Sequence, residues 1–242
     1  MKKVNFYTMM VPALLLAMAS LSGCDNNLGT VGGTPTATHT IINDNNSWSI
    51  LCYGVCPECP VWTQYVYFDG DSIVENHSYK KVFSCDDQLH ENIKLEGLMR
   101  EENQKTYFIP NNSNKEYLLY DFSLDEGMTF ECNISMSPQE TRLLAVKNID
   151  MVKVNGVWKK RLQLTYSPSS DNDYVVDTWI EDMGSLSGII TPGYLVLDGV
   201  IFTLLCSYQN NELMYKNPSY SECYYDNKDD LPNLINSNNL QK

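Results

Sequence analysis

Three cysteines stand close together at Cys52, Cys56 and Cys59. Thiols at this spacing have three chemistries open to them. The inner pair, Cys56-Pro57-Glu58-Cys59, has the separation of a dithiol that cycles with a disulfide. That chemistry wants the first sulfur at a helix N-terminus, where the dipole lowers its pKa. A zinc ion would take these sulfurs together with His77 or His90, but structural zinc asks for four ligands at better-defined spacing. A plain disulfide would only tie a loop. Pro60 and a β-branched, aromatic run follow Cys59, which favours the tied loop over the redox centre. Acid pairs at Asp69/Asp71, Asp171/Asp173 and Glu181/Asp182 could serve glycoside hydrolysis or calcium. An acidic, strand-rich chain shows such pairs by chance. His39, His77 and His90 lack a neighbouring nucleophile pattern, and no Gly-x-Ser-x-Gly elbow, phosphate loop or dinucleotide fingerprint occurs. No cofactor is implied.

The fourth chemistry is at the amino end. Lys2 and Lys3 precede an apolar run from Met9 to Ala19, and Leu21-Ser22-Gly23-Cys24 follows. Charge, short apolar core and small-residue cut site make a secretory signal peptide over 1–23. The run is too short to cross a bilayer, which takes about 20 residues. The Leu-Ser-Gly-Cys ending resembles a bacterial lipobox. The resemblance implies cleavage before Cys24 and acylation of its sulfur and new amino group. Two or more acyl chains make a lasting anchor where one holds only marginally. The expected setting is therefore lipid-anchored, at the outer membrane, on its periplasmic or surface side.

The 219 residues left after cleavage suffice for one large or two small domains with a real core. The leader holds two of the 17 Lys and Arg and none of the 30 acids, so the mature part stands at −15. That charge repels phosphate backbones and excludes nucleic acid as a natural partner. It also makes the surface a poor binder of anionic head groups.

These groups must be positioned by strands. Asp25 to Asn46 is Asn, Gly, Thr and Pro with little to bury, so 24–46 reads as a flexible tether. From Trp48 the pattern is period two, with strands expected at Trp48–Cys52, Val61–Phe68, Tyr79–Ser84, Leu95–Arg100, Thr106–Ile109, Tyr117–Phe122, Met128–Ile134, Leu143–Val154, Trp158–Tyr166, Tyr174–Ile180, Val200–Ser207 and Leu213–Tyr215. Turns are expected at Asp69-Gly70, around Asn103, at Asn155-Gly156 and at Gln209-Asn210-Asn211. No sustained helical period is present. The fold class is mostly β: antiparallel sheets with hairpin meanders, in a domain spanning 47–226, followed by a disordered tail over 227–242. The stretches Asp71–Lys81 and Asp150–Lys160 agree in kind at six positions without gaps. They suggest two similar β units, 48–135 and 136–226, packed as one body.

Cys24 goes to lipid, and seven cysteines remain. An exported compartment permits disulfides. Cys206 and Cys223 flank a hairpin and a short return and are the first pair to expect; Cys52, Cys56 and Cys59 are candidates for a disulfide or redox role. The Cys56–Cys59 pair resembles the thioredoxin-type motif, but the strands and helices that surround it in that family are missing. The full Cys52-x-x-x-Cys56-x-x-Cys59 spacing resembles the iron–sulfur motif of radical S-adenosylmethionine enzymes, whose barrels need the helices this chain lacks. Asp71-Ser72-Ile73 resembles an O-glycosylation acceptor of exported Bacteroidetes proteins, which makes Ser72 a candidate.

Four blocks carry a wider resemblance. Gly97-Leu98-Met99-Arg100-Glu101-Glu102, Tyr117-Leu118-Leu119-Tyr120-Asp121-Phe122-Ser123-Leu124, Trp179-Ile180-Glu181-Asp182-Met183-Gly184-Ser185 and Glu212-Leu213-Met214-Tyr215-Lys216-Asn217-Pro218 are similar to blocks of a group of Bacteroidetes cell-envelope lipoproteins. With the lipobox they cover most of 60–225. The resemblance implies a lipid-anchored envelope protein with a β-rich domain and brings no activity with it. The expectation is a binding or structural module that meets a glycan, a peptide or an envelope protein, with an exported acid-pair hydrolase or thiol oxidoreductase as the alternative. The 16 Tyr and 4 Trp could supply a stacking platform for sugars or could be spent in the core.

Overall fold

Two-residue turns set the architecture. A computed structural model describes residues 40–54, 56, 58–133, 141–167, 174–193 and 199–231, all within a unit spanning 38–242. Its strands are β1 (Ser47–Gly54), β2 (Val61–Val74), β3 (His77–Cys85), β4 (Lys94–Glu102), β5 (Lys105–Pro110), β6 (Tyr117–Asp121), β7 (Thr129–Asn133), β8 (Thr141–Val154), β9 (Val157–Tyr166), β10 (Asp177–Ile180), β11 (Gly184–Ser185), β12 (Val200–Gln209) and β13 (Glu212–Lys216). Val74 faces His77, Glu102 faces Lys105, Val154 faces Val157 and Gln209 faces Glu212, so each hairpin closes with only two residues. Those residues are Glu75-Asn76, Asn103-Gln104, Asn155-Gly156 and Asn210-Asn211, and all eight have positive φ. Positive φ at both positions gives the mirror-image turn whose twist matches paired strands, and Asn and Gly adopt it at little cost.

The strands form two antiparallel sheets. The first has eight strands in the order β13-β12-β1-β2-β3-β4-β5-β6; the second has five, β11-β10-β9-β8-β7. The sheets cut the sequence differently from a split into 48–135 and 136–226. β7 joins the second sheet, and β12 and β13 return to flank β1 in the first. Asp69-Gly70 does not turn the chain. β2 runs through it with a one-residue register shift between Phe68 and Asp71, and Gly70 takes φ +75°. The Asp-Gly pair is used as a bulge, which adds twist to a long ribbon.

The core lies between the sheets. Trp179, fully buried, is met edge-on by Tyr120 (5.1 Å between centroids) and Phe130 (5.0 Å), with Phe122 at 6.3 Å. Removing such a ring costs roughly 3–5 kcal/mol. The Trp179 indole donates to Asp177 Oδ2 (2.7 Å), and that carboxylate also accepts from Ser185 Oγ, Gly193 N and Thr178 N. Burial pushes the Asp177 pKa up, against the pull of those donors. Tyr120 joins the network by donating to the Ile189 carbonyl (2.7 Å).

Both ends of the body differ from the sequence expectation. Ile41, inside the stretch read as tether, is 1 % exposed and belongs to the core. Glu101 holds it there, accepting from Ile41 N (3.0 Å), Ile42 N (3.3 Å) and the Thr40 hydroxyl. At the other end, Lys228–Asp230 form a 310 turn and Leu231 is buried, where a loose tail from 227 was expected.

Candidate functional site

The outward face of the eight-stranded sheet carries a row of side chains whose register is continuous across six strands. Leu95 pairs with Phe83, Phe83 with Tyr67, Tyr67 with Ser47, Ser47 with Tyr208 and Tyr208 with Leu213. The next row runs Cys85, Tyr65, Ser49, Cys206. Because alternate residues of a strand share a face, Tyr65 and Tyr67 stand on one side of β2 while Val66 and Phe68 enter the core on the other. Phe83 lies under Tyr67 in a stacked contact at 5.9 Å, and Tyr65 sits 5.8 Å from Tyr67. Phe83, Tyr65, Tyr67 and Tyr208 are all half-buried. Ser47 and Ser49, between the β2 tyrosines and Tyr208, are buried beneath the neighbouring side chains. The Tyr65 hydroxyl donates to Ser47 Oγ (2.8 Å).

Two segments frame this face. The loop between β3 and β4 is organised by Asp87, whose carboxylate accepts from Glu91 N (2.8 Å) and Asn92 N (2.9 Å); these bonds hold its pKa below the ordinary value. The same loop holds His90 in the left-handed region (φ +57°) and lays its imidazole on Tyr65 at 4.5 Å. On the other side the C-terminal strap, 217–231, crosses the sheet. Tyr225 exchanges two bonds with Thr63 Oγ1 (2.7 and 2.8 Å) and packs with Leu51, Val61, Leu205 and Leu231. A disulfide joins Cys206 of β12 to Cys223 of the strap. The strap reaches across the second row, where Cys85, Ser49 and Cys206 are buried and Tyr208 packs against its cluster, and leaves Tyr65, Tyr67 and Phe83 half-buried. Burial pushes the Tyr67 pKa up, with Cys85, Asp69 and Tyr65 adding to it, so its hydroxyl stays neutral at ordinary pH.

The residues singled out by spacing fall elsewhere. Cys24 lies outside the described residues. Cys56 and Cys59 are bonded to each other in the loop between β1 and β2, at no helix terminus. Gly54 makes room for them, since a Cβ there would sit 2.3 Å from Cys59 Cβ. With both sulfurs joined, zinc ligation through them is closed. Cys52 faces the core, donates to the Ile50 carbonyl (3.6 Å), and has its pKa pushed up to about 12 by burial. A protonated, buried thiol is not a nucleophile. Ser72 is half-buried on β2 between exposed Asp71 and Ile73. Among the described residues no group of three or more His, Cys, Asp or Glu is arranged to hold a metal.

The acid pairs do not converge. Asp71 is tied to Lys80 (2.7 Å), and Asp182 pairs with Lys159 in the interior. Asp171 and Asp173 lie outside the described residues. The small pocket beside Glu181 and Asp182, lined also by Trp48, Lys159 and Met214, has a volume of about 10 Å³. That is room for one water and not for a sugar ring. Sequence reading missed the aromatic row because its parts come from several strands. The alternation Tyr65-x-Tyr67 marked a face without saying which one was open. Compared with known proteins, the chain matches no family, no curated protein and no solved structure.

Proposed function

We propose that this is a lipid-anchored cell-envelope protein that binds rather than catalyses, and that the half-buried aromatic row on the eight-stranded sheet is its ligand-binding face. The observation that carries the reading is the uninterrupted register Phe83–Tyr67–Ser47–Tyr208 with its half-buried rings. Flat aromatic rings present an electron-rich face that complements the C–H face of a pyranose, while tyrosine and serine hydroxyls supply hydrogen bonds at the rim. Asp69 lies beside Tyr67 and the chain carries a net charge of −13, so a neutral glycan suits the face and an anionic one does not. The lipobox ending at Cys24 and the four blocks similar to Bacteroidetes envelope lipoproteins support the anchored setting, on the outer membrane. No helix among the described residues is long and apolar enough to cross a membrane.

The test is titration of the protein with a panel of neutral and acidic polysaccharides, followed by calorimetry. Tyr67→Ala and Tyr208→Ala should each weaken binding of the responding glycan about tenfold, equivalent to about 1.4 kcal/mol. Retained affinity in both variants, or no response from any glycan, removes the reading.

A further inference from the structure

A second apolar cluster lies apart from the core, on the outward face of the eight-stranded sheet. Leu51, Val61, Leu205 and Cys206 supply its floor, and Tyr225 and Leu231 of the C-terminal strap cover it. The strap is thinly held. Among its described side chains only Tyr225 and Leu231 are buried, while Pro218, Ser219, Ser221, Glu222, Asp226 and Asn227 are exposed. Asn217 N–H donates to the Leu205 carbonyl (2.7 Å), Asn217 Nδ2 donates to the Leu204 carbonyl (3.0 Å), and Tyr225 exchanges its bonds with Thr63. The Tyr220 and Tyr224 hydroxyls meet Thr203 and the Gln88 backbone, and exposed Lys216 donates to the Ser221 carbonyl. Each such bond is worth little net, because water makes the same bond once the strap lifts. Ser221 N and Glu222 N both donate to the Tyr225 hydroxyl, so these two bonds stay within the strap. Segments with few buried groups open locally ahead of the body. Among the described residues, the covalent tie of strap to sheet is Cys206–Cys223.

From this arrangement we infer that the Cys206–Cys223 bond is a redox latch: with the bond made the strap covers the outer apolar cluster, and reduction by a dithiol lifts the strap and bares Leu51, Val61 and Leu205. Cys206 is fully buried and Cys223 half-buried, so attack falls on the sulfur of the strap. A thiolate of the dithiol bonds to Cys223 Sγ as the Cys206–Cys223 bond breaks, and Cys206 leaves as a thiolate that takes up a proton. The second thiol of the reductant loses its proton and displaces Cys223, which is protonated in turn. The products are two protein thiols and the disulfide of the reductant. The Cys56–Cys59 bond is different in kind. Its partners are 3 residues apart in one loop, so its reduction has no second element to release. Tyr208 belongs both to the covered cluster and to the aromatic row, so the strap sets what surrounds one end of that row. The latch stands on the strap alone and not on the ligand-binding reading.

The test treats the wild-type protein with dithiothreitol under native conditions. Alkylated cysteines are mapped by mass spectrometry, and hydrogen exchange is followed peptide by peptide. Cys206 and Cys223 should become alkylated without denaturant. Exchange across 217–231 should then quicken about tenfold or more, while β8–β9 keeps its protection. Oxidised glutathione should restore the slow rate. Cys223→Ser should show the fast rate with no reductant present, which separates the latch from any effect of reducing Cys56–Cys59. Unchanged exchange across the strap, in the reduced protein or in the variant, overturns the latch. So does a bond that yields only in denaturant. Loss of protection throughout the body also overturns it, because the bond would then hold the fold and not the strap.

Discussion

The ribbons β2–β3 and β8–β9 share a backbone plan and solve one buried position in opposite ways. Counted from their two-residue turns, the returning strands β3 and β9 show the same succession of burial: two exposed residues, one buried, two half-buried, one buried, one half-buried, one buried. The first buried position is Tyr79 in one and Lys159 in the other. Tyr79 is a neutral phenol that bridges Glu116 (2.5 Å) and Arg100 (3.3 Å) near the sheet margin, where Arg100 also stacks 4.0 Å over Tyr107. Lys159 is an ammonium ion paired with Asp182 inside the body, both side chains under 10 % exposed. A phenol can lose a partner and keep its packing. A buried ion cannot, because the charge left behind has no solvent. The same geometry thus tolerates a polar tip in two chemistries of very different fragility.

The sharpest way to break the parallel is at the ion pair. Asp182→Asn should lower stability by about 3–5 kcal/mol, read as a shift of the urea midpoint. Lys159→Met combined with Asp182→Asn should recover most of that loss, since no charge is then left buried and Asn suits the φ of +63° at position 182. In the first ribbon Tyr79→Phe should cost only about 1 kcal/mol, the net value of a hydrogen bond. A loss as large as that of Asp182→Asn would show that the two positions are not alike.

Acid should separate the ribbons further. In β8–β9, Arg161 donates to both oxygens of Asp150 (2.7 and 2.5 Å), and these bonds hold the Asp150 pKa below its ordinary value against a small opposing effect of burial. A depressed carboxylate stabilises the fold above its unfolded pKa and loses that contribution as pH falls through the folded one. Both side chains are about a third exposed, so the contribution is about 0.2–1 kcal/mol. Wild type and Asp150→Asn should therefore part in stability above about pH 4 and converge as pH falls through the lowered pKa of the folded carboxylate. Glu101 runs the other way. Burial raises its pKa despite its donors at Thr40, Ile41 and Ile42. Its ionisation costs stability as pH rises above the unfolded carboxylate value, so Glu101→Gln should flatten that slope if the amide keeps the chain start in place. The smallest effect is expected at the turns. Glu75 sits at φ +47° where β8–β9 has Asn155, and Glu75→Asn should stabilise by a few tenths of a kcal/mol.

These residues also show how far the sequence could be read. Asn155-Gly156 and Asn210-Asn211 were legible as turns because the left-handed region selects Asn and Gly. The match between Asp71–Lys81 and Asp150–Lys160 pointed to two hairpins but paired them one residue out. It aligned Asn76 with Asn155, whereas the turns align Glu75 with Asn155 and so Tyr79 with Lys159. Glu75 carries no turn signal, which hid the shift. Asp69-Gly70 carried the strongest turn chemistry of its region and became a bulge, because pairing of Asp71 with Lys80 resumes beyond it. Local chemistry permits either outcome, and only the partner strand decides. Ile41 and Ile42 looked like part of a loose cord since the group that fixes them, Glu101, is some 60 residues away. The aromatic row was hidden for a related reason. β2 bears aromatic or aliphatic residues on both sides, and the covering strap comes from the far end of the chain.

The pairing of β1 with β12 has a consequence for how the protein is made. Ser47–Gly54 lies between Val61–Tyr67 and Val200–Tyr208, so the first strand to be synthesised waits for nearly the last before its second edge is filled. Contacts so distant along the chain make folding slow and leave an unpaired edge exposed meanwhile. With this closure the larger sheet stays incomplete until the chain near its carboxyl end has been made. It then locks in one late step, sealed by the Cys206–Cys223 bond. A product truncated before β12 would present β1 as a bare template to proteases and neighbours alike.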